Sequence, residues 1–189
     1  MDIQSIKPEE FFRILSVAPR VCVDNIVFKI SEKGPEVLLV MRKQEPAKGC
    51  LYPIGKSLVK NMFSEEWTLE ALKKETGMAG KVIRLFGIYE SIYSRAQNPS
   101  VKNGLHDISI AFLTLVEDEK IKLDDTSSGF KWISSIDELP LPPYTKKLIQ
   151  DSGVFSIPVK ELLKLNSDGK INYSKGDYRN IDFSEYIIK

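Results

Sequence analysis

The chain has 189 residues, 42% of them apolar and 28% charged, with a formal net charge of +1. That size and balance fit one globular domain with an appendage, and so small a net charge supplies no field to draw in nucleic acid or an acidic membrane. Two cysteines, Cys22 and Cys50, and a single histidine, His106, exclude a disulfide framework and cannot complete a zinc site.

Pro8, followed by Glu9 and Glu10, suits the first turn of a short helix over 7–16. Residues 20–30 (RVCVDNIVFKI) are β-branched and apolar, and 36–41 (EVLLVM) return after turn residues, which predicts an antiparallel hairpin. Residues 44–61 carry two glycines and two prolines and read as irregular. Ser64 offers a helix N-cap, Trp67, Leu69, Leu72 and Glu75 follow, and Gly77 closes the helix. Strands are predicted over 81–89, 107–116 and 130–133, with a polar loop over 93–104 and a second helix over 144–152. Beyond 156 a short helical stretch, 159–165, leads into a polar tail over 166–189. Its tyrosines, Tyr173, Tyr178 and Tyr186, are expected to pack on the domain or on a dimer mate. Trp67 and Trp132 read as core. The domain is placed at 1–155 and the C-terminal extension at 156–189. No run approaches the ~20 apolar residues of a membrane span, and the first residues, Met-Asp-Ile-Gln, lack signal-peptide regions. The expected location is the cytoplasm.

Several residues carry chemistry by type and place. A carboxylate inside an apolar strand, Asp24, needs a partner or a ligand hydroxyl. Arg42 at a strand end suits phosphate oxygens. Lys56 after Gly55 reads as a helix-entrance anion site. A helix lysine, Lys74, sets an ammonium where a metal's charge would sit. Tyr52 is a candidate for stacking on a base. Each has a structural alternative: strand-end solvation, a core hydrogen bond, or an exposed helix face.

Residues 37–78 resemble a Nudix segment, G-x5-E-x7-R-E-U-x-E-E-x-G-U with U apolar, in which helix carboxylates converge on a divalent cation and a diphosphate. The chain keeps Gly55, Leu72, Glu75, Gly77 and Met78 of that pattern. It places Lys56, Met62, Glu70, Ala71 and Lys74 at the motif's glycine, first glutamate, arginine and next two glutamates. The wider pattern over 10–150 is similar to the GDP-mannose mannosyl hydrolases: Val23-Asp24, Arg42 with Glu45-Pro46-Ala47-Lys48-Gly49, Lys60-Asn61, Gly87 to Glu90, His106, Leu123-Asp124-Asp125, Phe130 to Ile133, and Pro143 to Lys146. The resemblance implies an α+β fold, a Nudix α/β/α sandwich with a mixed sheet. It implies water attacking the anomeric carbon of a nucleoside-diphosphate sugar, Mg²⁺ and arginines at the leaving diphosphate, and a homodimer. The family's histidine base and its glutamine metal ligand fall at Thr126 and Ser127.

The expected function is hydrolysis of a GDP-mannose-like nucleotide sugar or related nucleotide. The alternative is a nucleotide-binding module that has lost its chemistry. Substrate-binding residues are expected at Asp24, Arg42, Lys56, Lys74 and His106. Metal ligands are expected at Glu75 and Gly55, and the catalytic base among Glu75, Asp125 and Glu90.

Overall fold

The computed structural model describes residues 7–96, 98–117, 120–165 and 171–188. In chain order the elements are α1 (Pro8–Leu15), β1 (Arg20–Ser31), β2 (Gly34–Arg42), β3 (Leu51–Tyr52), β4 (Ile54–Ser57), α2 (Ser64–Thr76), β5 (Gly80–Tyr93), β6 (Leu105–Val116), β7 (Ser127–Ile133), α3 (Pro143–Ser152), α4 (Val159–Leu162) and β8 (Asn172–Asp177), then a 3-10 turn at Phe183–Tyr186. The result is the expected α+β sandwich.

The predicted hairpin forms, with β1 antiparallel to β2 from Val27↔Leu38 to Ser31↔Gly34. β1 then pairs in parallel with β6, and the mixed sheet runs β3-β2-β1-β6-β5-β8, with β4 attached to β1 and β7 to β2. Strand side chains alternate between faces, so β1 feeds two layers. Ile26 and Phe28 face α3, where they share a cluster with Tyr144, Leu148 and Ile149. Val23 faces α2 and packs with Trp67, Ala71 and Phe112. β1 and β6 are buried on both faces because each is covered by a helix layer. No helix among the described residues is long and apolar enough to cross a membrane.

Helix α2 ends as its sequence predicts. Gly77 adopts φ 74°, the left-handed region where a Cβ is unfavourable, and its N–H donates to the Lys73 carbonyl at 2.9 Å. Its start differs: Phe63 is the cap residue and makes no side-chain cap bond, while Ser64 already lies in the first turn.

Two segments hold more strand than their composition suggests. Within 44–61, β4 pairs Cys22↔Ser57 through Asn25↔Ile54. In the tail, β8 pairs in parallel with β5 from Gly87↔Asn172 to Ile92↔Asp177. Residues 172–177 (NYSKGD) have poor strand propensity, and the free edge of β5 overrides it. Tyr178 then stacks on Tyr93, with ring centroids 5.4 Å apart. Cys50 Sγ donates to the Phe183 carbonyl at 3.3 Å, and Cys50 bridges to Ile187. Tyr186 packs at the edge of the α3-side cluster. Residues 166–170 of the predicted tail lie outside the described residues.

Candidate functional site

The parallel register of β1 and β6 sets Arg20 opposite Asp107 and Cys22 opposite Ser109. With Asp24, these are the residues of the α3-facing rows that lie before Ile26 on β1 and before Ala111 on β6, so one end of an otherwise apolar face is polar. Arg20 donates to both Asp107 oxygens, Nε to Oδ1 at 2.9 Å and Nη2 to Oδ2 at 2.6 Å. This bidentate geometry satisfies a pair that is mostly out of water. Asp24 is buried and accepts hydrogen bonds from the Tyr144 hydroxyl and from Ser109. Burial pushes its carboxyl above the ordinary range, and the two hydroxyls oppose that rise. Gly55 lies opposite Asp24 in the β1–β4 ladder, and a Cβ there would collide with the Asp24 carboxylate. Glycine is required for that close approach.

The adjoining wall is made by β4, the end of α2 and the strand-to-strand segment before β7. Lys122 N–H donates to the Thr76 carbonyl at 2.8 Å, and Asp124 N–H donates to the Glu75 carbonyl at 3.1 Å. These bonds satisfy open carbonyls of the last helical turn and bring the Asp124 side chain to the site. Lys56 Nζ stands 4.0 Å from Glu75 Oε1 and 3.9 Å from Asp124 Oδ2. Thr126 donates its N–H and its hydroxyl to Asp124 Oδ1, at 2.9 and 2.5 Å. Burial raises Glu75 to about 7, outweighing the opposing pull of Lys56.

Across the opening, the Arg42 guanidinium covers the Tyr52 ring at 4.8 Å, a cation–π contact. Its hydrogen bonds to the Gln44 and Glu45 carbonyls are long, 3.4 and 3.5 Å. Tyr144 stacks near the same Tyr52 ring at 5.6 Å, so Tyr52 already has ring partners on this domain rather than an open face for a base. The Tyr52 and Tyr93 hydroxyls are 2.9 Å apart.

Asp24, Arg42, Gly55, Lys56 and Glu75 thus line one cleft of about 210 Å³. Arg20, Asp107, Ser109, Thr126, Ser127 and Tyr144 line it too. The sequence reading missed Arg20, Asp107, Ser109 and Tyr144 as site residues: the polar positions show within β1 and β6 separately, but the parallel register that joins them does not. A second cleft, about 770 Å³, lies beside the β2–β3 loop and the tail and shares Pro46 and Tyr93 with the first.

The other expected site residues lie elsewhere. Lys74 lies over the Trp67 ring at 4.6 Å and does not line the cleft. His106 pairs with Glu90 at 3.0 Å, and Glu90 also accepts from the Tyr173 hydroxyl at 2.7 Å. The Tyr173 and His106 hydrogen bonds hold Glu90 below the usual carboxylate range, the wrong direction for a base working at neutral pH. Asp125 is exposed and does not line the cleft, while its neighbour Asp124 turns toward Lys56. Lys56 itself is not at a helix entrance. It lies in β4, paired with Val23, and reaches the C-terminal end of α2, not its N-terminus.

The expected Mg²⁺ on Glu75 and Gly55 fits this donor set poorly. Mg²⁺ requires near-octahedral oxygen ligands, whereas the Lys56 ammonium already stands 4.0 Å from Glu75 and 3.9 Å from Asp124. Among the described residues no group of three or more His, Cys, Asp or Glu is arranged to hold a metal ion.

The mixed sheet between helix layers, with the loop–helix–loop of 55–78 beside a charged cleft, defines a Nudix-type fold. No family model matches the sequence. A curated relative, ADP-ribose pyrophosphatase of Methanocaldococcus jannaschii, is 31% identical over 138 residues, spanning 72% of this chain and 75% of the relative. Two solved structures share the fold. The NUDIX domain of Shewanella oneidensis NrtR, complexed with ADP ribose, has TM-score 0.59 at 18% identity over 78% of this chain and 92% of that one. A NUDIX hydrolase from Nitrosomonas europaea has TM-score 0.58 at 13% identity over 84% and 79%. The chain belongs to the Nudix hydrolase superfamily.

Proposed function

We propose that this chain is a hydrolase of nucleoside-diphosphate sugars, of the ADP-ribose or GDP-mannose kind. The observation that carries the reading is the convergence of Arg42, Lys56 and Glu75 in one cleft. Two cations at a cleft mouth with low-dielectric walls suit the two negative phosphates of such a ligand. The wider cleft that continues past Pro46 and Tyr93 has room for the remainder of the molecule. The relative's name and the ADP-ribose complex of the structural neighbour support the same ligand class.

Of the carboxylates lining the cleft, Asp107 is committed to Arg20 and Asp24 to two hydroxyls. Glu75, near 7, is matched to accepting a proton at neutral pH. Water oxygen bonds to the phosphorus or anomeric carbon, the bond to the departing oxygen breaks, and the water's proton passes to Glu75. Arg42 and Lys56 balance the charge that develops on the departing group, a phosphate for attack at phosphorus or the diphosphate for attack at the anomeric carbon.

The experiment is incubation with a panel of nucleotide sugars in ¹⁸O water, with products read by mass. Label in one product identifies the bond cleaved. Glu75→Gln is expected to lower kcat by roughly 10²-fold, in the range of general-base contributions. A panel with no turnover sinks the enzymatic reading. A specific observation favours a second one, a binding module: Thr126 and Ser127, which cannot act as a histidine base and a glutamine ligand, line the cleft. It predicts nucleotide stabilisation of about 2.7 kcal/mol at a hundred times Kd, without turnover.

A further inference from the structure

Lys56 reaches between two carboxylates from different elements, 4.0 Å from Glu75 on α2 and 3.9 Å from Asp124 on the following loop. The geometry is built rather than incidental. Pairing with Val23 fixes the Lys56 backbone in β4. The Lys122 and Asp124 backbone bonds fix the loop to the last turn of α2. Thr126 occupies one Asp124 oxygen, and the other is turned to the lysine. Two carboxylates brought this close call for a cation between them. Here a covalently attached cation holds the place.

We propose that Lys56 is the resident cation of this cleft and that the cleft takes its diphosphate ligand through Lys56 and Arg42 without a divalent metal ion. This rests on the reading of the cleft as a nucleotide-sugar site and says how that site manages charge. A metal ion seated near Glu75 and Asp124 would meet the Lys56 ammonium at contact range, with like charges repelling in a partly buried setting. For a diphosphate the balance reverses. Lys56 is one-third exposed and lines the cleft, so its head is accessible from the opening. Arg42, whose own hydrogen bonds are long, presents a second cation on the facing strand.

The test is calorimetric titration of the intact chain with ADP-ribose and with GDP-mannose, once in EDTA and once in Mg²⁺. Affinity is expected to agree within about twofold between the two buffers. Lys56→Met is expected to weaken binding by roughly tenfold or more in both, the loss of one charge-assisted contact. Lys56→Arg is expected to retain most of the affinity. Mn²⁺ alone, without nucleotide, is expected to keep its free-ion magnetic resonance signal when the wild-type chain is added. Binding that appears only with Mg²⁺, or a Lys56→Met chain that melts normally and binds like wild type in EDTA, overturns the inference while leaving the nucleotide-sugar reading intact. The buffer comparison needs no variant and so survives a variant that fails to fold. Binding in neither buffer overturns both.

Discussion

One face of the β1–β6 pair behaves in two ways along its length. At one end Arg20, Asp24, Asp107 and Ser109 stand in the rows occupied farther along by Ile26, Phe28, Ala111 and Leu113. The strands, the pairing and the burial are shared, and only side-chain chemistry differs. The apolar end contributes stability by removing surface from water. The polar end gives some of that up, since buried charges are tolerated only with partners, and gains a cleft in return. Core packing and the cleft are divided between the halves of one strand pair.

The largest expected effect is at the apolar end. Phe28→Ala should destabilise the fold by about 3–5 kcal/mol, the cost of an unfilled aromatic cavity, measured by urea unfolding. Nucleotide affinity of the folded fraction should be unchanged, because Phe28 does not line the cleft. At the polar end, Arg20→Met should cost about 3 kcal/mol by leaving Asp107 unpaired, and the double change Arg20→Met with Asp107→Leu should recover most of it. A double variant as unstable as the single one would show that the pair contributes through packing, erasing the contrast between the two ends.

The smallest effect depends on pH. Burial raises Glu75 from the ordinary carboxylate value of 4.5 to about 7. The folded chain therefore binds a proton there more tightly than the unfolded chain. Its contribution is favourable below pH 4.5 and is lost as pH rises through 7. Glu75→Gln should flatten that part of the stability profile and gain on the order of 2 kcal/mol at pH 8 relative to pH 4.5. A pH profile identical to wild type would mean the carboxylate is well solvated.

The hairpin, α2 and its Gly77 terminus were legible because local rules govern them: alternation, an apolar helix face, and a left-handed cap. The expected cleft residues Asp24, Arg42, Lys56 and Glu75 were legible as types at meaningful spacings. Arg20 and Asp107 were not, because their meaning comes from a parallel register between segments 87 residues apart, which no local pattern encodes. His106 and Glu90 illustrate the converse. Each is chemically suitable, but both lie in the β5–β6 ladder, where they pair with each other outside the cleft. The tail strand β8 was hidden for a third reason, since its partner edge supplies the order that its own residues lack.

The separations across the cleft have a kinetic consequence. Tyr144 reaches Asp24 across 120 residues, Arg20 reaches Asp107 across 87, and Tyr52 meets Tyr93 across 41. Closing such long loops is entropically costly before any contact rewards it, which slows folding of topologies rich in distant pairings. The cleft is therefore complete only once these distant segments have met. A nucleotide that recognises it would accelerate no early step. It would act by slowing escape from the finished structure, and its signature would appear in the unfolding limb of a chevron plot.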